Sequence, residues 1–412
     1  MISRALPALV FGLTYLAISG LHVPWLPESR ALAACAGAAA MLLFGGIGLG
    51  PAWRAIDGAT LTLLFGMMLL SGGLRLSGAF GAGTDFVCRH AAGRPVRLLW
   101  LVTLLSGILS ALLVNDAICL MLTPLVLDVC ERLRLSPKPY LLALATGSNV
   151  GSTATLIGNP QNMIIGVRSG WRYLPFLFRL GPPALAGLVA TAALLTWLSH
   201  RDLVTLPAAP SAGLAAQPGW RRRRPIVLAV FALATAGFVG GGNLALVALA
   251  GGAAILVAAG RDAVDVVREV DWTLLAFFAG LFVVVAGFDQ TGLPRAAFRL
   301  VSPYFGASAV RQIASFSAFS AAASNVFSNV PFVLVAAPWM NGFAHPMTMW
   351  LVLAASSTLA GNLTIVGSMA NMIVIETAGE RVHVGFRDYA RVGVPITVVT
   401  IALAAAWLAT IG

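Results

Sequence analysis

Apolar runs of membrane-spanning length alternate with short polar links along almost the whole chain. The first three runs are about 6–20, 31–49 and 59–77, each close to the roughly 20 residues a helix needs to cross hydrocarbon. Pro24, Pro27 and Pro51 fall in the links between them. A mixed basic stretch over 81–97, with Asp85, Arg89, His90, Arg94 and Arg97, predicts a short helix lying at the membrane interface. Residues 98–129 are then mostly apolar but too few for two full crossings. The pair Asn115-Asp116 divides them, which predicts a re-entrant hairpin with a polar tip, because non-helical backbone at depth needs protein or a cavity around it. Residues 141–166 predict a broken helix: GSNVGSTATLIGNPQN (147–162) sets three glycines, Pro160 and eight polar side chains inside an apolar span. A crossing over 182–198 and a linker over 200–224, ending in Arg221–Arg224, complete the first half.

The second half repeats this order. Spans fall near 226–239, 244–259 and 272–288. A basic interfacial piece with Arg295 and Arg299 follows, then a second hairpin (313–340), a second broken helix (349–376) and a last crossing (392–408). Asp57 pairs with Asp271, Gly66 with Gly280, Gly73 with Gly287, Gly78 with Gly292, Asn115 with Asn329 and Pro124 with Pro338, all at a spacing of 214 residues. Past the hairpin-to-helix link the spacing becomes 209, pairing Gly158 with Gly367 and Asn162 with Asn371. Internal repeats of this kind are the sequence signal of secondary transporters. The predicted fold is an all-α polytopic membrane protein of two inverted five-crossing repeats, 1–199 and 225–412, joined by a cytoplasmic linker, 200–224. Each repeat carries a re-entrant hairpin and a broken helix.

Composition agrees. The chain is 59% hydrophobic and only 10% charged, with a mean hydropathy of +0.89, against about 25% charge in a soluble domain. The net charge of +11 lies in many short loops and reads as a topology signal, not a nucleic-acid face. With Arg221–Arg224 in the cytoplasm, most of the 26 basic residues (near Arg30, 75–97, 132–138, Arg201, 261–268 and 381–391) share that side. This orientation puts both termini outside a plasma (inner) membrane and opens the two hairpins from opposite faces. The first run lacks a cleavage site and is expected to stay as a transmembrane helix. The four cysteines (Cys35, Cys88, Cys119, Cys130) and five histidines (His22, His90, His200, His345, His383) form no metal-ligand or nucleophile pattern, so no cofactor and no enzyme activity are expected.

The hairpin tips and broken-helix motifs resemble the ion transporter superfamily: divalent anion:sodium symporters, citrate transporters and the arsenite-pump membrane subunit. In sodium-coupled dicarboxylate members each tip reads Ser-Asn-Thr. Here the matching triplets are Val114-Asn115-Asp116 and Ser328-Asn329-Val330, so the asparagines match while most flanking hydroxyls do not, and an Asn-Asp tip looks more like the arsenite-pump and citrate branches. The resemblance implies a secondary active transporter of small anions (dicarboxylate-like or inorganic oxyanion), coupled to Na+ or H+ by alternating access. The alternatives are an arsenite or antimonite efflux permease and a Na+/H+ antiporter. It implies substrate contacts from Asn115, Asp116, Thr155, Asn159, Asn162, Ser328, Asn329, Thr364, Ser368 and Asn371, with Asn115, Asn329, Thr155 and Thr364 donating to substrate oxygens. Cation sites would use Asn115, Asp116, Ser148, Asn149, Gly151, Ser152 and Thr153 on one side, and Ser328, Asn329, Thr358 and Asn362 on the other. A homodimer in membrane lipid is implied by resemblance alone.

Two features stand outside that pattern. No arginine or lysine lies in these motifs, so an anion's charge must be offset by co-bound cations or helix N-termini. Asp116 is mirrored by Val330, and either completes a cation site or exchanges a proton. Asp128 and Asp289, nearer span ends, read as interface residues. Cys119 reads as a small buried hydrophobe.

Overall fold

The computed structural model describes residues 2–18, 29–79, 87, 90–91, 94–203 and 218–411. The expected interfacial helix over 81–97 and the middle of the linker lie largely outside them, as do Pro24, Pro27, Asp85, Cys88 and Arg89. The described residues are helical throughout, with short 3-10 turns at helix ends. Six helices are long and apolar enough to cross a bilayer: Gly58–Leu76, Pro95–Leu112, Tyr173–Leu198, Leu244–Arg268, Trp272–Asp289 and Phe386–Ile411. The chain is therefore an all-α polytopic membrane protein.

Several expected boundaries move. The crossings expected over 182–198 and 392–408 run longer, as Tyr173–Leu198 and Phe386–Ile411, and carry Pro182, Pro183 and Pro395 inside the helix. Arg30–Leu43 stops before residue 49, and Pro51 belongs to a separate short helix, Leu49–Ala55, not to a link. Within the stretch expected as the first hairpin the helix breaks at Leu113–Val114, so Asn115 and Asp116 open the following helix, Asn115–Leu133, and put a carboxylate in its first turn. Within the stretch expected as the second hairpin the break is one residue, Ser328, between Ala309–Phe327 and Asn329–Ala336. The stretches expected as broken helices hold Lys138–Ser152 and Pro160–Ser169, and Pro346–Leu359 and Met369–Ala378. Asp128, expected at the interface, is 6% exposed and pairs with Arg132 at 2.8 Å, one turn along its own helix.

Glycine sets the closest helix crossings, and the crossings are reciprocal. A Cβ on Gly66 would lie 2.4 Å from the Ala248 carbonyl carbon, and one on Gly280 would lie 2.7 Å from the Ala34 carbonyl oxygen. A Cβ on Gly73 would meet Ile255, and one on Gly287 would meet Met41. Positions 34 and 248, like 41 and 255, differ by the same 214 residues as the glycine pairs. Helix Arg30–Leu43 thus packs on Trp272–Asp289 as Leu244–Ala259 packs on Gly58–Leu76. Small residues let backbones approach where lipid offers no hydrophobic drive between helices.

Candidate functional site

The two polar stretches, 147–162 and 358–371, meet one another, and their polar side chains lock together. Asn162 Nδ2 donates to the carbonyls of Ser152 (3.3 Å) and Thr155 (2.9 Å), across the gap in its own helix. Asn371 Nδ2 donates to the carbonyls of Gly361 (2.7 Å) and Thr364 (3.0 Å), the positions equivalent by repeat. These asparagines satisfy carbonyls that the helix breaks would otherwise leave unpaired. Asn159 and Ser368 cap the helices after each gap, accepting from Asn162 N and Ala370 N. Both also reach into the other half: Asn159 Nδ2 donates to Thr358 Oγ1 (3.3 Å) and Ser368 Oγ to Asn149 Oδ1 (3.0 Å). Position 358 is the repeat partner of 149, so this contact too is reciprocal.

Asn149 is the hub. Its Nδ2 donates to Asn362 Oδ1 and Asn371 Oδ1, both at 2.9 Å, and its Oδ1 accepts from Asn115 Nδ2 (3.0 Å) and Ser368 Oγ. A carbonyl oxygen can only accept, so Asn371 must turn its Nδ2 to Gly361 and Thr364. Its Oδ1 then accepts from Asn149 Nδ2, and Asn149 Oδ1 is left to accept from Asn115 Nδ2. The amide orientation at the first tip is therefore fixed by two backbone carbonyls on the far side of the fold. One N–H of the Asn115 amide is engaged by Asn149, which leaves the second N–H, and its Oδ1 has no donor among the described residues. Asn329 Oδ1 likewise has none. Thr155 and Thr364 are engaged as well, Thr155 Oγ1 donating to the Ala111 carbonyl (2.6 Å) and Thr364 Oγ1 to Asn325 Oδ1 (3.3 Å).

In front of this network lies a cavity of about 310 Å3. Of the sequence-derived site residues, Asn115, Asp116, Ser328, Asn329 and Ser368 line it. Thr155, Asn159, Asn162, Thr364 and Asn371 do not, nor do Ser148, Asn149, Gly151, Ser152, Thr153, Thr358 and Asn362, which are buried behind it. Ser328 holds φ 68° and ψ 152°, a backbone region close to glycine-only, which costs on the order of 1–3 kcal/mol and is kept where the surroundings enforce it.

The cavity also holds charges that sequence reading placed elsewhere. Arg30, Asp271 and Glu376 line it together with Asp116. Arg30 sits under the charges of Asp116 and Glu376, and its Nη1 approaches Met369 Sδ at 3.0 Å. The expectation of a motif core without arginine thus holds along the sequence but not in space, because Arg30 comes from the end of a helix outside the motifs. Asp271 and its repeat partner Asp57 did carry a signal, since each caps the next helix, accepting from Leu274 N and Thr60 N. Gln161, also on the cavity wall, donates to Thr358 Oγ1 (3.3 Å).

Six helix N-termini converge on the cavity. They are the first turns of Arg30–Leu43, Asn115–Leu133, Pro160–Ser169, Trp272–Asp289, Asn329–Ala336 and Met369–Ala378. Each contributes a positive partial charge, an element of an anion site, although side chains such as Asn159, Asp271 and Ser368 already accept from some of the first-turn N–H groups.

The citrate transporter profile matches residues 25–355, most of the chain and both tips. The chain belongs to the citrate transporter family. Among its relatives, the silicon efflux transporter LSI3 of Oryza sativa subsp. japonica is 31% identical, with 96% of each chain covered. An uncharacterized transporter of Mycobacterium tuberculosis is 32% identical over 86% of each. The Dictyostelium discoideum transporter arsB is 26% identical, over 94% of this chain and 88% of its own. The fold is similar to the Alcanivorax borkumensis YdaH transporter, described as having an unusual topology, with a TM-score of 0.61, 15% identity and 100% and 98% of the two chains covered. This citrate transporter family member sits in the ion transporter superfamily expected from its tips. It is a secondary transporter of small anions and ions, and its work is translocation, not catalysis.

Proposed function

We propose that the chain carries a small oxyacid of low charge, exchanged with H+ at Asp116, by alternating access of two inverted repeats (1–199 and 225–412, linked through 200–224). The charge balance of the cavity carries the substrate reading. Six helix N-termini at about +0.5 each give about +3, Arg30 adds one positive charge, and three carboxylates subtract three, leaving about +1. A singly charged or uncharged oxyacid fits that field. A fully ionised tricarboxylate leaves an excess of about two negative charges unless Asp116, Asp271 or Glu376 takes up protons or cations. Silicon, which the rice relative exports, is an uncharged hydroxide in neutral water and matches this class.

Substrate contacts are assigned to Arg30, Asp116, Ser328, Asn329 and Ser368. Asn149, Asn159, Asn162 and Asn371 form the frame behind them. The reciprocal glycine crossings and the exchanged Asn159–Thr358 and Ser368–Asn149 contacts support the inverted arrangement, because a two-fold relation makes each contact occur twice with partners exchanged. The mouth residues Ser29, Asp271 and Glu376 are exposed and lie beside the segments that the positive-inside count assigns to the cytoplasm, which supports an inward-facing conformation.

A second reading, Na+ coupling, draws on the donorless amide oxygens of Asn115 and Asn329, which are suitable cation ligands. Proteoliposome transport of silicic acid, arsenite, phosphate, succinate and citrate under separate pH and Na+ gradients tests both. Metalloid or monoanion movement driven by the pH gradient is expected. Transport of citrate or succinate alone would overturn the substrate reading, and dependence on Na+ with indifference to pH would replace H+ as the coupling ion.

A further inference from the structure

Asp116 stands in a wall between two cavities. Asp116, Asp271, Leu274 and Met369 line the central cavity on one side and a second cavity of about 110 Å3 on the other. The second cavity reaches Ser71, Arg75 and Glu269, none of which touches the first. Arg75 Nη1 donates to Glu269 Oε2 at 2.7 Å, and the two side chains are 46% and 20% exposed, so this pair borders solvent. Ser71 lies deeper, 4% exposed, and its Oγ has no partner among the described residues. Gly72 makes the pair's position available, since a Cβ there would come 2.8 Å from Glu269 Cβ. The second cavity's wall is mostly apolar, from Met68, Val114, Leu120, Met121 and Ile373, but it has room for a few waters at about 30 Å3 each, and each needs two to four polar partners. Ser71 Oγ and the carboxylates of Glu269, Asp271 and Asp116 supply them.

We propose that this side cavity is the proton route of Asp116, separate from the substrate's path. The inference rests on the proton-coupled reading above. A proton from solution enters past Arg75–Glu269 and passes by way of water to a carboxylate oxygen of Asp116, forming one O–H bond. On release the same bond breaks and the proton returns to water. The charged and titratable groups facing Asp116 are Arg30, Asp271 and Glu376 from the central cavity, Arg75 and Glu269 from the side cavity, and Cys119 one turn along its own helix. With two routes, Asp116 changes protonation while substrate still fills the central cavity. A single shared opening does not allow this.

The test compares net uptake driven by a pH gradient with counterflow exchange, which needs no net proton movement. Ser71→Leu fills the side cavity, and Glu269→Gln removes the entry carboxylate without filling it. Both are expected to cut pH-driven uptake by about tenfold or more, within the range that positioned proton-transfer groups contribute, while counterflow and substrate KM stay near wild type. Asp116→Asn is the reference and should abolish proton coupling outright. Unchanged pH-driven uptake in both Ser71→Leu and Glu269→Gln, with coupling lost in Asp116→Asn, overturns the route and leaves proton coupling standing. Coupling intact in Asp116→Asn overturns both. If Ser71→Leu does not fold, Glu269→Gln decides alone.

Discussion

The orientation of Asn149 can be tested with one atom. Asn149→Asp keeps the shape of the side chain and turns Nδ2, a donor to Asn362 Oδ1 and Asn371 Oδ1 at 2.9 Å each, into an acceptor facing two acceptors. Asn362 cannot turn its amide to help, because its Nδ2 is held by the Thr146 carbonyl at 3.3 Å. Asn371 cannot either, because its Nδ2 holds the carbonyls of Gly361 and Thr364. Two buried acceptors lose their donor, at about 1–3 kcal/mol each, so the loss should be about 2–6 kcal/mol near neutral pH. Partial relaxation puts the low end within reach. Lower pH protonates the new carboxyl and restores one of the two donors, so part of the loss should return below neutral pH, with no counterpart in wild type. The assay is the thermal midpoint of the detergent-solubilised protein across a pH series, read alongside Asn149→Ala, which removes both donor and acceptor functions. A variant as stable as wild type at pH 7, with no gain on acidification, would refute the relay from backbone carbonyls to Asn115.

Three further outcomes follow from separate parts of the structure. Ser328→Gly relieves the positive-φ backbone at the second tip. It should raise the thermal midpoint, with a net gain of about 1 kcal/mol after the entropy cost of glycine, while loss of the cavity hydroxyl raises KM. Arg30→Gln should raise substrate KM by about tenfold to a hundredfold, the equivalent of one charged hydrogen bond of about 1.5–3 kcal/mol, in a transport assay; an unchanged KM would remove Arg30 from the site. Gly66→Ala and Gly280→Ala each press a methyl onto a facing backbone, and reciprocity requires similar losses of about 1–3 kcal/mol by overpacking. A large cost at one glycine and none at the other in detergent melting curves would break the symmetry argument.

The order of elements was legible because each polar interruption in an apolar run is costly and therefore informative. The breaks at Val114, Ser328, Thr153–Asn159 and Ala360–Ser368 lie within or beside the stretches that the sequence marked. The roles inside those stretches were less legible. Asn162 and Asn371 carry the same signal as Asn115 and Asn329, an amide in an apolar span, yet the first two mend broken helices and the last two line the cavity. Only the path of the backbone separates them, since an amide ten residues after a break reaches its carbonyls when the chain doubles back. Helix ends were the least reliable boundaries. Pro182 reads as the start of a span, but it, Pro183 and Pro395 lie within long helices, where packing against neighbours lets a missing backbone donor be tolerated.

Arg30 shows why charge is hard to place from sequence in a protein of this kind. It opens an apolar helix at the edge of a loop, where an arginine ordinarily serves as a topology signal, and the loop before it lies outside the described residues. Its place at the cavity depends on helix Arg30–Leu43 crossing Trp272–Asp289 at Gly280, a contact between halves that sequence spacing alone does not reveal. That same crossing brings the N-termini of both helices, with Asp271, to one mouth. The glycine that permits the crossing therefore also determines which charges line the cavity. A residue larger than glycine at 280 would shift Arg30 relative to Asp116 and Glu376, and so act on substrate affinity from outside the cavity.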